Sequence, residues 1–368
     1  MAEGRCRARD VGIRIGFYEP GPLNAITDVR GVRVGHTTLI EGEGQLRPGH
    51  GPIRTGVTAV IPHDRGIYSH QVVAGIHILN GAGEMTGLAQ VKEWGILETP
   101  IILTNTLNVG RVHDALLDYV LAHNPKMGVL YEYDPVIPVV AECDDSYLND
   151  IRGRHVGPDH VKRALEAASS GPVSEGSVGA GTGMSAFNFK AGIGTSSRRL
   201  PTALGGYTVG ALVLANFGNR RHLNIGGVPV GQEIIDLMPT LHIDGSVVVI
   251  LAFDAPLDSR QLNRLAHRSV VGLGRVGTYA AHTSGELVLA FSTANLIPRI
   301  SEERVCRLTV LRDIHLDPLF EATIEAVEEA VLNSLFAAET MTGRDGHVAH
   351  AMPIDRVVEV LSRRNGAV

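Results

Sequence analysis

Two serine-containing segments combine residue types that can carry out nucleophilic chemistry. Ser246 follows Gly245 and precedes six apolar residues, 247–252, a run typical of a strand buried on both faces. Ser284 lies two residues before Glu286, just ahead of another apolar run. Side chains two residues apart on an extended segment point the same way, so Glu286 could orient Ser284. Ser284 could then approach Ser246 from an adjacent strand, and a serine hydroxyl needs such a neighbour to become a good nucleophile.

The same residues also fit a purely structural interpretation. Asp244 and Gly245 are common turn residues, and a serine and a glutamate two positions apart occur routinely on surface strands. The G-x-S-x-G motif of the α/β-hydrolase nucleophile elbow is absent from the sequence. Residue types and spacing alone therefore leave a turn and a nucleophile both open at Ser246.

A glycine-rich passage, Gly179-Ala-Gly-Thr-Gly183, suggests a phosphate-binding loop at first sight. It does not match G-x-G-x-x-G, however, and the sequence contains no G-x-x-x-x-G-K-[ST] motif. Small residues continue on both sides, where a nucleotide cradle would need a strand before it and a helix after it. The passage predicts a tight loop where backbone segments approach closely.

Histidine and cysteine give no metal-binding pattern. The sequence has 16 His but no H-E-x-x-H motif, and His347 and His350 have only Asp345 and Asp355 as nearby carboxylates. The three Cys are widely spaced and include no C-x-x-C pair. We therefore expect no disulfide framework, no metal and no cofactor, and the cysteine usage fits a reducing cytoplasm.

Composition sets broad limits on function. The chain has 368 residues, of which 44% are hydrophobic and 20% charged, and a net charge of −6. This balance gives no electrostatic basis for binding nucleic acid or an anionic membrane. The amino-terminal residues lack the apolar stretch of a signal peptide, and no window approaches about 18 uninterrupted apolar residues. A cytoplasmic protein is expected.

Periodicity predicts strands and helices that follow one another along the chain and pack in layers. Strands are predicted at residues 32–40, 57–61, 72–79, 101–103, 136–140, 208–215, 247–252, 287–291 and 305–311. Helices are predicted at residues 84–93, after a cap at Asn108, at 159–169, after a cap at Asp258, at 318–339 and at 352–361. No repeat or linker interrupts this pattern, so one layered α/β domain is predicted for residues 1–368.

Eight segments match a known family in the same order. They are Asn24-Ala-Ile-Thr-Asp-Val-Arg-Gly-Val-Arg-Val-Gly-His36, Gly81-Ala-Gly-Glu-Met-Thr-Gly87, Pro100-Ile-Ile-Leu-Thr-Asn-Thr-Leu-Asn-Val-Gly110, Gly192-Ile-Gly-Thr-Ser-Ser-Arg198, Ile225-Gly-Gly-Val-Pro-Val-Gly231, Asp244-Gly-Ser-Val-Val-Val249, Ser292-Thr-Ala-Asn295 and Ala338-Glu-Thr-Met-Thr-Gly-Arg-Asp-Gly-His347. On these segments the chain resembles the L-aminopeptidase/D-esterase peptidases (the P1 family, peptidase family S58), which include the β-peptidyl aminopeptidases.

The resemblance implies a self-processing serine hydrolase with an amino-terminal nucleophile, folded as a four-layer α/β/β/α sandwich. The chain would cleave itself between Gly245 and Ser246 into residues 1–245 and 246–368, which stay associated. Ser246 would then be the amino-terminal residue and the nucleophile. A homo-oligomer, a tetramer of processed units, is implied as well.

Roles for other residues follow from the same resemblance. Ser284 and Glu286 correspond to the serine and glutamate that act with the nucleophile. Asn216 matches the asparagine that helps to form the oxyanion hole, and Glu142 matches the carboxylate that holds the free amino group of the substrate. The reaction implied is aminopeptidase hydrolysis of short peptides, amino-acid amides or amino-acid esters through an acyl-enzyme.

One position departs from the pattern. Some members carry a tyrosine two residues after the substrate-binding glutamate, assigned to positioning the reacting carbonyl, where this chain has Asp144. Tyr147 is close by in sequence, but the resemblance does not assign it that role. The preference among L-, D- and β-amino-acid substrates therefore does not carry over.

The general base and the reaction type remain open from the sequence. Cleavage would free the α-amine of Ser246, whose reference pKa is about 7.7–8.0, and this amine or Ser284 backed by Glu286 could act as base. Ornithine acetyltransferase-like acyl transfer is an alternative reaction, although such enzymes use threonine where this chain has Ser246. An unprocessed, non-catalytic homologue is the other alternative.

Overall fold

The computed structural model describes residues 5–129, 135–240 and 245–365. The helices in chain order are α1 (Leu88–Trp94), α2 (Val109–His123), α3 (Pro158–Glu166), α4 (Val230–Glu233), α5 (Ser259–Val276), α6 (Asp317–Ala337) and α7 (Ile354–Asn365). The strands are β1 (Arg33–Glu41), β2 (Ile53–Ile61), β3 (His70–Gly81), β4 (Ile96–Leu97), β5 (Ile101–Asn105), β6 (Val139–Cys143), β7 (Ser185–Ala186), β8 (Phe189–Lys190), β9 (Ile193–Arg199), β10 (Thr208–Ala215), β11 (Val247–Phe253), β12 (Gly285–Pro298), β13 (Met341–Thr342) and β14 (Val348–Ala349).

Six strands form the larger sheet, in the order β4-β3-β12-β11-β10-β9. β11 and β12 run parallel, with Val247 paired to Glu286, and β10 and β3 flank them in antiparallel register. A parallel pair needs a crossover, and helix α5 provides it. The α5 helix begins where the Asp258 side chain accepts a 2.7 Å hydrogen bond from the Gln261 N–H, and it ends at Gly277, whose φ is +115°.

Four strands form the second sheet, in the order β1-β2-β5-β6. β5 and β6 are its parallel pair, with Thr104 opposite Glu142, and α2 lies in the connection between them. Strand β6 thus carries Glu142 to the end of the sheet, one residue before Cys143. Both sheets therefore use the same device, a parallel pair joined through a helix, to bring polar residues to a sheet edge.

β11 lies at the centre of the molecule, which explains its uninterrupted apolar sequence. Val247, Val249 and Leu251 belong to the core that the larger sheet shares with α5 and α6. Val248 and Ile250 belong to the core between the two sheets. A third core fills the space between the four-stranded sheet and helices α2 and α3. The layers run helix, sheet, sheet, helix, so the predicted four-layer α/β/β/α sandwich is confirmed.

Helix α6 is buried over most of its circumference, although the sequence predicts a single apolar face along it. Its Glu325 and Glu329 are buried beneath Arg198 of β9, at 2.9 Å and 2.7 Å. Arg9 adds a 2.8 Å ion pair to Glu329. Buried charges are tolerated when they are paired and hydrogen-bonded. This network ties the amino-terminal segment and β9 to α6.

The strand predicted at residues 305–311 is wrong, because this segment is irregular. The side chain of Asn295 hydrogen-bonds both backbone groups of Thr309, at 3.0 Å and 2.9 Å, and the Leu311 N–H donates to the Pro256 carbonyl at 2.7 Å. A side chain and a loop therefore satisfy backbone groups that a neighbouring strand would otherwise bind.

Several predicted boundaries also shift; the helix predicted at 84–93, for example, begins at Leu88. The strand predicted at 136–140 begins only at Val139, after Pro138, which has no N–H to give to a sheet. Asn108 is the residue before α2, as predicted, but its side chain makes no capping hydrogen bond. Asn105 caps the short 3-10 turn that leads into α2, and its side chain accepts a 3.1 Å hydrogen bond from the Asn108 N–H. In the described parts of the chain, no helix has both the length and the apolar character needed to cross a bilayer.

Candidate active site

Ser246 lies at the amino-terminal end of β11, where neighbouring strands fix its backbone on two sides. Its carbonyl accepts hydrogen bonds from the Asn216 N–H at 3.0 Å and from the Cys143 thiol at 3.3 Å. Its Oγ accepts from the Gly285 N–H at 3.2 Å, and the residue is only 7% exposed. The hydroxyl is therefore held against the start of β12 by a backbone donor.

Ser284 and Glu286 form a buried pair at the start of β12. The Ser284 hydroxyl donates a 2.5 Å hydrogen bond to Glu286 Oε1. Burial raises the pKa of Glu286 to about 6, and the hydrogen bond from Ser284 opposes that rise. Glu286 Oε2 is buried without a partner among the described residues. Because Val247 pairs with Glu286, the Ser284 and Ser246 segments begin side by side on parallel strands.

Asn216 follows β10 and lies directly against Gly245. Its side-chain Nδ2 donates to the Asp144 carbonyl at 2.8 Å, and its Oδ1 accepts from the Ser185 N–H at 2.9 Å. A Cβ atom built on Gly245 would lie 1.7 Å from the Asn216 carbonyl oxygen and 2.7 Å from Nδ2. Only glycine fits at position 245 in this arrangement, and the amide donor of Asn216 is adjacent to the Gly245–Ser246 bond.

Glu142 lies at the end of β6 and is 3% exposed. Its Oε1 accepts a 2.9 Å hydrogen bond from the Glu84 N–H, and its Oε2 accepts from the Thr106 hydroxyl. A Cβ atom built on Gly83 would be 3.2 Å from Oε1 and 3.8 Å from the Gly285 Cα. Gly83 thus lies between the Glu142 carboxylate and Gly285, whose N–H binds the Ser246 hydroxyl.

The electrostatic setting of Glu142 is acidic. Burial raises its pKa, the hydrogen bonds from Thr106 and the Glu84 N–H lower it, and the carboxylates of Asp144 and Glu84 raise it further. A cation brought next to this carboxylate would oppose the effect of burial. The site can therefore bind a positively charged group close to Ser246.

Asp144 and Tyr147 occupy different surroundings from one another. Asp144 is exposed, its side chain accepts a 2.7 Å hydrogen bond from the Ser146 N–H, and its carbonyl holds the Asn216 amide. The Tyr147 hydroxyl donates to the Val348 carbonyl at 3.3 Å and accepts from the Thr240 N–H at 3.2 Å. Tyr147 is therefore engaged with the chain just before residue 241, not with Asn216 or Ser284.

Several supporting groups were not foreseen from the sequence. The Gly285 N–H and the Asp144 carbonyl are backbone groups, and residue type carries no signal for them. Buried Asp145 accepts from Thr55 at 2.5 Å and from Asn105 at 3.0 Å, and burial raises its pKa to about 7 against these hydrogen bonds. It links the segment that follows Glu142 to the segment that precedes Thr106.

The glycine-rich passage and the His347 region have structural roles. A Cβ on Gly179 would lie 2.4 Å from the Thr58 hydroxyl oxygen, and a Cβ on Gly181 would lie 2.4 Å from the Ile193 nitrogen. His347 stacks on Tyr147 with ring centroids 4.7 Å apart, and its Nδ1 is 2.8 Å from the Tyr147 carbonyl oxygen. Over residues 5–129, 135–240 and 245–365, no group of three or more His, Cys, Asp and Glu side chains is arranged to hold a metal ion.

Comparison with known proteins places this arrangement in a family. A model of the family described as peptidase family S58 matches residues 24–349. The chain belongs to peptidase family S58. One similar protein is the beta-peptidyl aminopeptidase BapA of Sphingosinicella xenopeptidilytica. It is 42% identical over 372 residues, which cover 97% of this chain and 91% of that protein.

Solved structures agree with the S58 assignment. The PH0078 protein from Pyrococcus horikoshii OT3 matches with a TM-score of 0.93 and 51% identity over 98% of this chain and 99% of that one. The L-aminopeptidase D-Ala-esterase/amidase from Ochrobactrum anthropi matches with a TM-score of 0.91 and 41% identity over 98% and 99%. That enzyme is described as a prototype serine aminopeptidase and a variant of the Ntn hydrolase fold. The resemblance and the fold class expected from the sequence are thereby confirmed, and S58 membership makes the chain a hydrolase of the aminopeptidase type.

Proposed function

We propose that this protein is a self-processing serine aminopeptidase that releases amino-terminal residues from short peptides, amino-acid amides or amino-acid esters. The observation that carries the proposal is the convergence of Ser246, Ser284 and Glu286 at the starts of two parallel strands. Glu142 lies close to this group, with Gly83 between its carboxylate and Gly285. Family membership supports the same activity.

Processing begins with attack of the Ser246 Oγ on the Gly245 carbonyl carbon. The C–N bond breaks, the Ser246 nitrogen leaves as an amine with the proton from Oγ, and an ester joins Gly245 to Oγ. Water then hydrolyses the ester and regenerates the hydroxyl. In the intact chain the Ser246 nitrogen is an amide, so the base available for this step is Ser284 with Glu286 rather than the α-amine. A carboxylate whose pKa is about 6 is largely ionised at neutral pH and can accept that role.

Asn216 stabilises the negative charge that develops on the attacked carbonyl oxygen. Its Nδ2 lies beside Gly245, and it is held by the Asp144 carbonyl in the unreacted chain. A side-chain amide donor in such a position contributes roughly 3–4 kcal/mol to the barrier reduction where comparable donors have been removed. The same donor serves the carbonyl of a substrate once the chain is cut.

Turnover of a peptide repeats this chemistry on an external carbonyl. Ser246 forms the acyl-enzyme, the amine product leaves with a proton, and water releases the acid. Glu142 binds the free ammonium of the substrate and so restricts cleavage to the amino-terminal residue. Interactions of this kind discriminate strongly, because a substrate that lacks the ammonium leaves a buried carboxylate unpaired. Both the Ser246 α-amine and the Ser284–Glu286 pair are available as base in the processed enzyme.

We propose the following assembly and location for the processed protein. Fragments 1–245 and 246–368 stay together after cleavage, and the processed unit acts in the cytoplasm as a homo-oligomer, a tetramer in analogy with the family. No metal, cofactor, nucleic acid or membrane takes part.

Intact-mass measurement of the purified protein tests the proposal. We expect two chains, one of which begins at Ser246, and we expect Ser246→Ala to remain a single chain without release of amines from peptide substrates. A wild-type protein that stays unbroken contradicts the processing step. A Ser246→Ala protein that still splits or still hydrolyses peptides contradicts the assignment of the nucleophile.

A further inference from the structure

A fully buried lysine lies beneath the candidate oxyanion donor. Lys190 ends β8 and is 0% exposed. Its Nζ donates three hydrogen bonds to backbone carbonyls, at 3.1 Å to Gly181, 2.8 Å to Met184 and 2.6 Å to Ala191. An ammonium has three donors, so all of them are used. No carboxylate in the described parts of the chain forms an ion pair with it.

Burial of an amine without a carboxylate is unfavourable, and it lowers the pKa of Lys190 to about 7. Lysine at this position therefore contributes less to the stability of the fold than an apolar residue of the same length would. Two of the three carbonyls that it binds, those of Gly181 and Met184, belong to one segment, and the third belongs to the adjacent Ala191. That segment is the glycine-rich loop, residues 179–184, which the proposed chemistry does not otherwise use.

The glycine-rich loop is wedged between other backbone segments. A Cβ on Gly181 would lie 2.4 Å from the Ile193 nitrogen, and a Cβ on Gly183 would lie 2.3 Å from the Arg54 carbonyl oxygen. Glycine thus permits the close approach of the backbone segments, and Lys190 Nζ binds the carbonyls of Gly181 and Met184 within the loop. Together they fix the path of the chain as it leaves the loop.

Ser185 is the residue at which the loop ends, and it contacts Asn216 directly. Ser185 pairs with Lys190 across β7 and β8, and its N–H donates to Asn216 Oδ1 at 2.9 Å. The side-chain amide is planar, so the donor that holds Oδ1 also fixes the direction of Nδ2. The chain of contacts runs from the lysine, through the loop, to the amide that faces Gly245.

We propose that Lys190 is a positioning residue for Asn216: it clamps the glycine-rich loop so that the Ser185 N–H holds the oxyanion-binding amide in its working orientation. The inference rests on the proposed function, because it gives Asn216 its role. It explains the buried lysine and the glycine-rich passage as parts of one support. Lys190 itself touches neither the substrate nor the reacting atoms.

A double-mutant cycle in the full-length protein tests this on two reactions, self-cleavage and turnover of an amino-acid amide. Lys190→Met, Asn216→Ala and the double variant are compared with wild type; the rate of self-cleavage is followed by mass spectrometry, and turnover is expressed per Ser246 amino terminus. The same pattern of losses is expected in both reactions, so a variant that is cleaved slowly still completes the cycle. We expect Lys190→Met to lower kcat about ten- to a hundred-fold with little change in KM, as misplacement of a catalytic group does. In the Asn216→Ala background, Lys190→Met should lower kcat no further.

Asn333→Leu is the matched control. Asn333 is also fully buried and bonds backbone groups, the Thr195 carbonyl at 2.9 Å and the Ala8 N–H at 3.1 Å, on α6. It should lower the melting temperature and leave kcat unchanged. If Lys190→Met does not yield folded protein, Lys190→Gln, which keeps two N–H donors, replaces it in the cycle.

Two results would overturn the inference. One is a Lys190 variant with wild-type kcat, and the other is an equal loss of kcat with Asn216 present and with Ala at that position. Failure of the proposed function looks different, because Asn216→Ala alone would then leave kcat unchanged.

Discussion

Val247 and Glu286 are paired on neighbouring parallel strands, and this register brings two distant serines to one sheet edge. Parallel strands begin at the same edge of a sheet, so Ser246 and Ser284, which precede the paired residues, meet there. The α5 crossover makes this possible for segments separated by a whole helix. A slip of one residue would turn Ser284 and Glu286 together to the opposite face and would carry the Gly285 N–H away from the Ser246 hydroxyl, which it now reaches at 3.2 Å.

The first prediction concerns pH. Glu286 must be ionised to accept the Ser284 hydrogen, and its pKa is raised to about 6 by burial. Activity should therefore be full above that value and fall as the pH drops through it. In a profile of kcat/KM against pH, we expect Glu286→Gln to lower the plateau by roughly 10²–10⁴-fold and to remove this acidic limb. An unchanged limb near pH 6 in the variant would assign it to another group, such as Asp145, whose pKa burial raises to about 7.

The second prediction concerns the residue before the cleaved bond. Gly245→Ala introduces a methyl group whose ideal position is 1.7 Å from the Asn216 carbonyl oxygen, so residue 245 or Asn216 must move. We expect self-cleavage to slow by about a hundred-fold, measured as the fraction of intact chain over time. Gly274→Ala is the control, because a Cβ there meets nothing within 4 Å on helix α5. That variant should process normally and gain up to about 1 kcal/mol from helix propensity.

The third prediction concerns recognition of the amino group. Glu142→Gln removes the buried charge that would pair with a substrate ammonium, which typically costs roughly 2–5 kcal/mol, or about 30-fold and more in kcat/KM. The loss should be absent for a substrate whose amino group is acetylated. Asp144→Asn alters an exposed neighbouring carboxylate and should change kcat/KM by less than about five-fold. Equal losses on free and acetylated substrates would argue against amine recognition by Glu142.

The fourth prediction concerns the buried ion pairs that connect β9 to α6. Burial acts to raise the pKa of Glu329, yet Arg198, Arg9 and the Asn24 hydrogen bond hold it below its usual value. Arg198→Met leaves Glu329 and Glu325 short of a partner, and breaking such a pair costs about 3–5 kcal/mol in the free energy of unfolding. Urea unfolding measures this loss, and size-exclusion chromatography shows whether cleaved fragments separate.

Arg260→Met is the comparison for Arg198. The Arg260–Asp313 ion pair is just as short, at 2.8 Å, but its side chains are 58% and 46% exposed. Its loss should leave the free energy of unfolding almost unchanged because solvent already screens the pair. If both variants lost the same stability, burial would not be the property that makes the Arg198 network matter.

Local pattern was sufficient for the parts of the fold that depend on one segment at a time. The six apolar residues after Ser246 predict a doubly buried strand, and period-two geometry predicts that Ser284 and Glu286 point together. Residues 305–311 also have a strand-like pattern, with Arg307 and Thr309 among apolar residues, but they are irregular and Asn295 binds the backbone of Thr309. A sequence pattern shows which secondary structure a segment prefers, but it does not show whether a neighbouring strand pairs with that segment.

Long-range parts of the candidate site were beyond such reasoning. Glu142 approaches Gly285 because β6 and β12 belong to sheets that pack face to face, and only the family resemblance suggested its role. Nothing in the sequence marks Lys190 or Ser185, since a buried lysine and a backbone N–H have no distinctive sequence signature. These residues became visible through burial and hydrogen bonding in three dimensions.

The strand order of the larger sheet also bears on how the protein can be made. β11 and β12 come from residues after the proposed cut, and β3 and β10, which flank them, come from residues before it. If the two portions were synthesised from separate genes, each would expose unpaired strand edges, which are a ready template for aggregation. The Gly245–Ser246 peptide bond acts as a temporary tether. It makes the insertion of β11 and β12 between β3 and β10 an intramolecular step, and the bond is no longer needed once the sheet has formed.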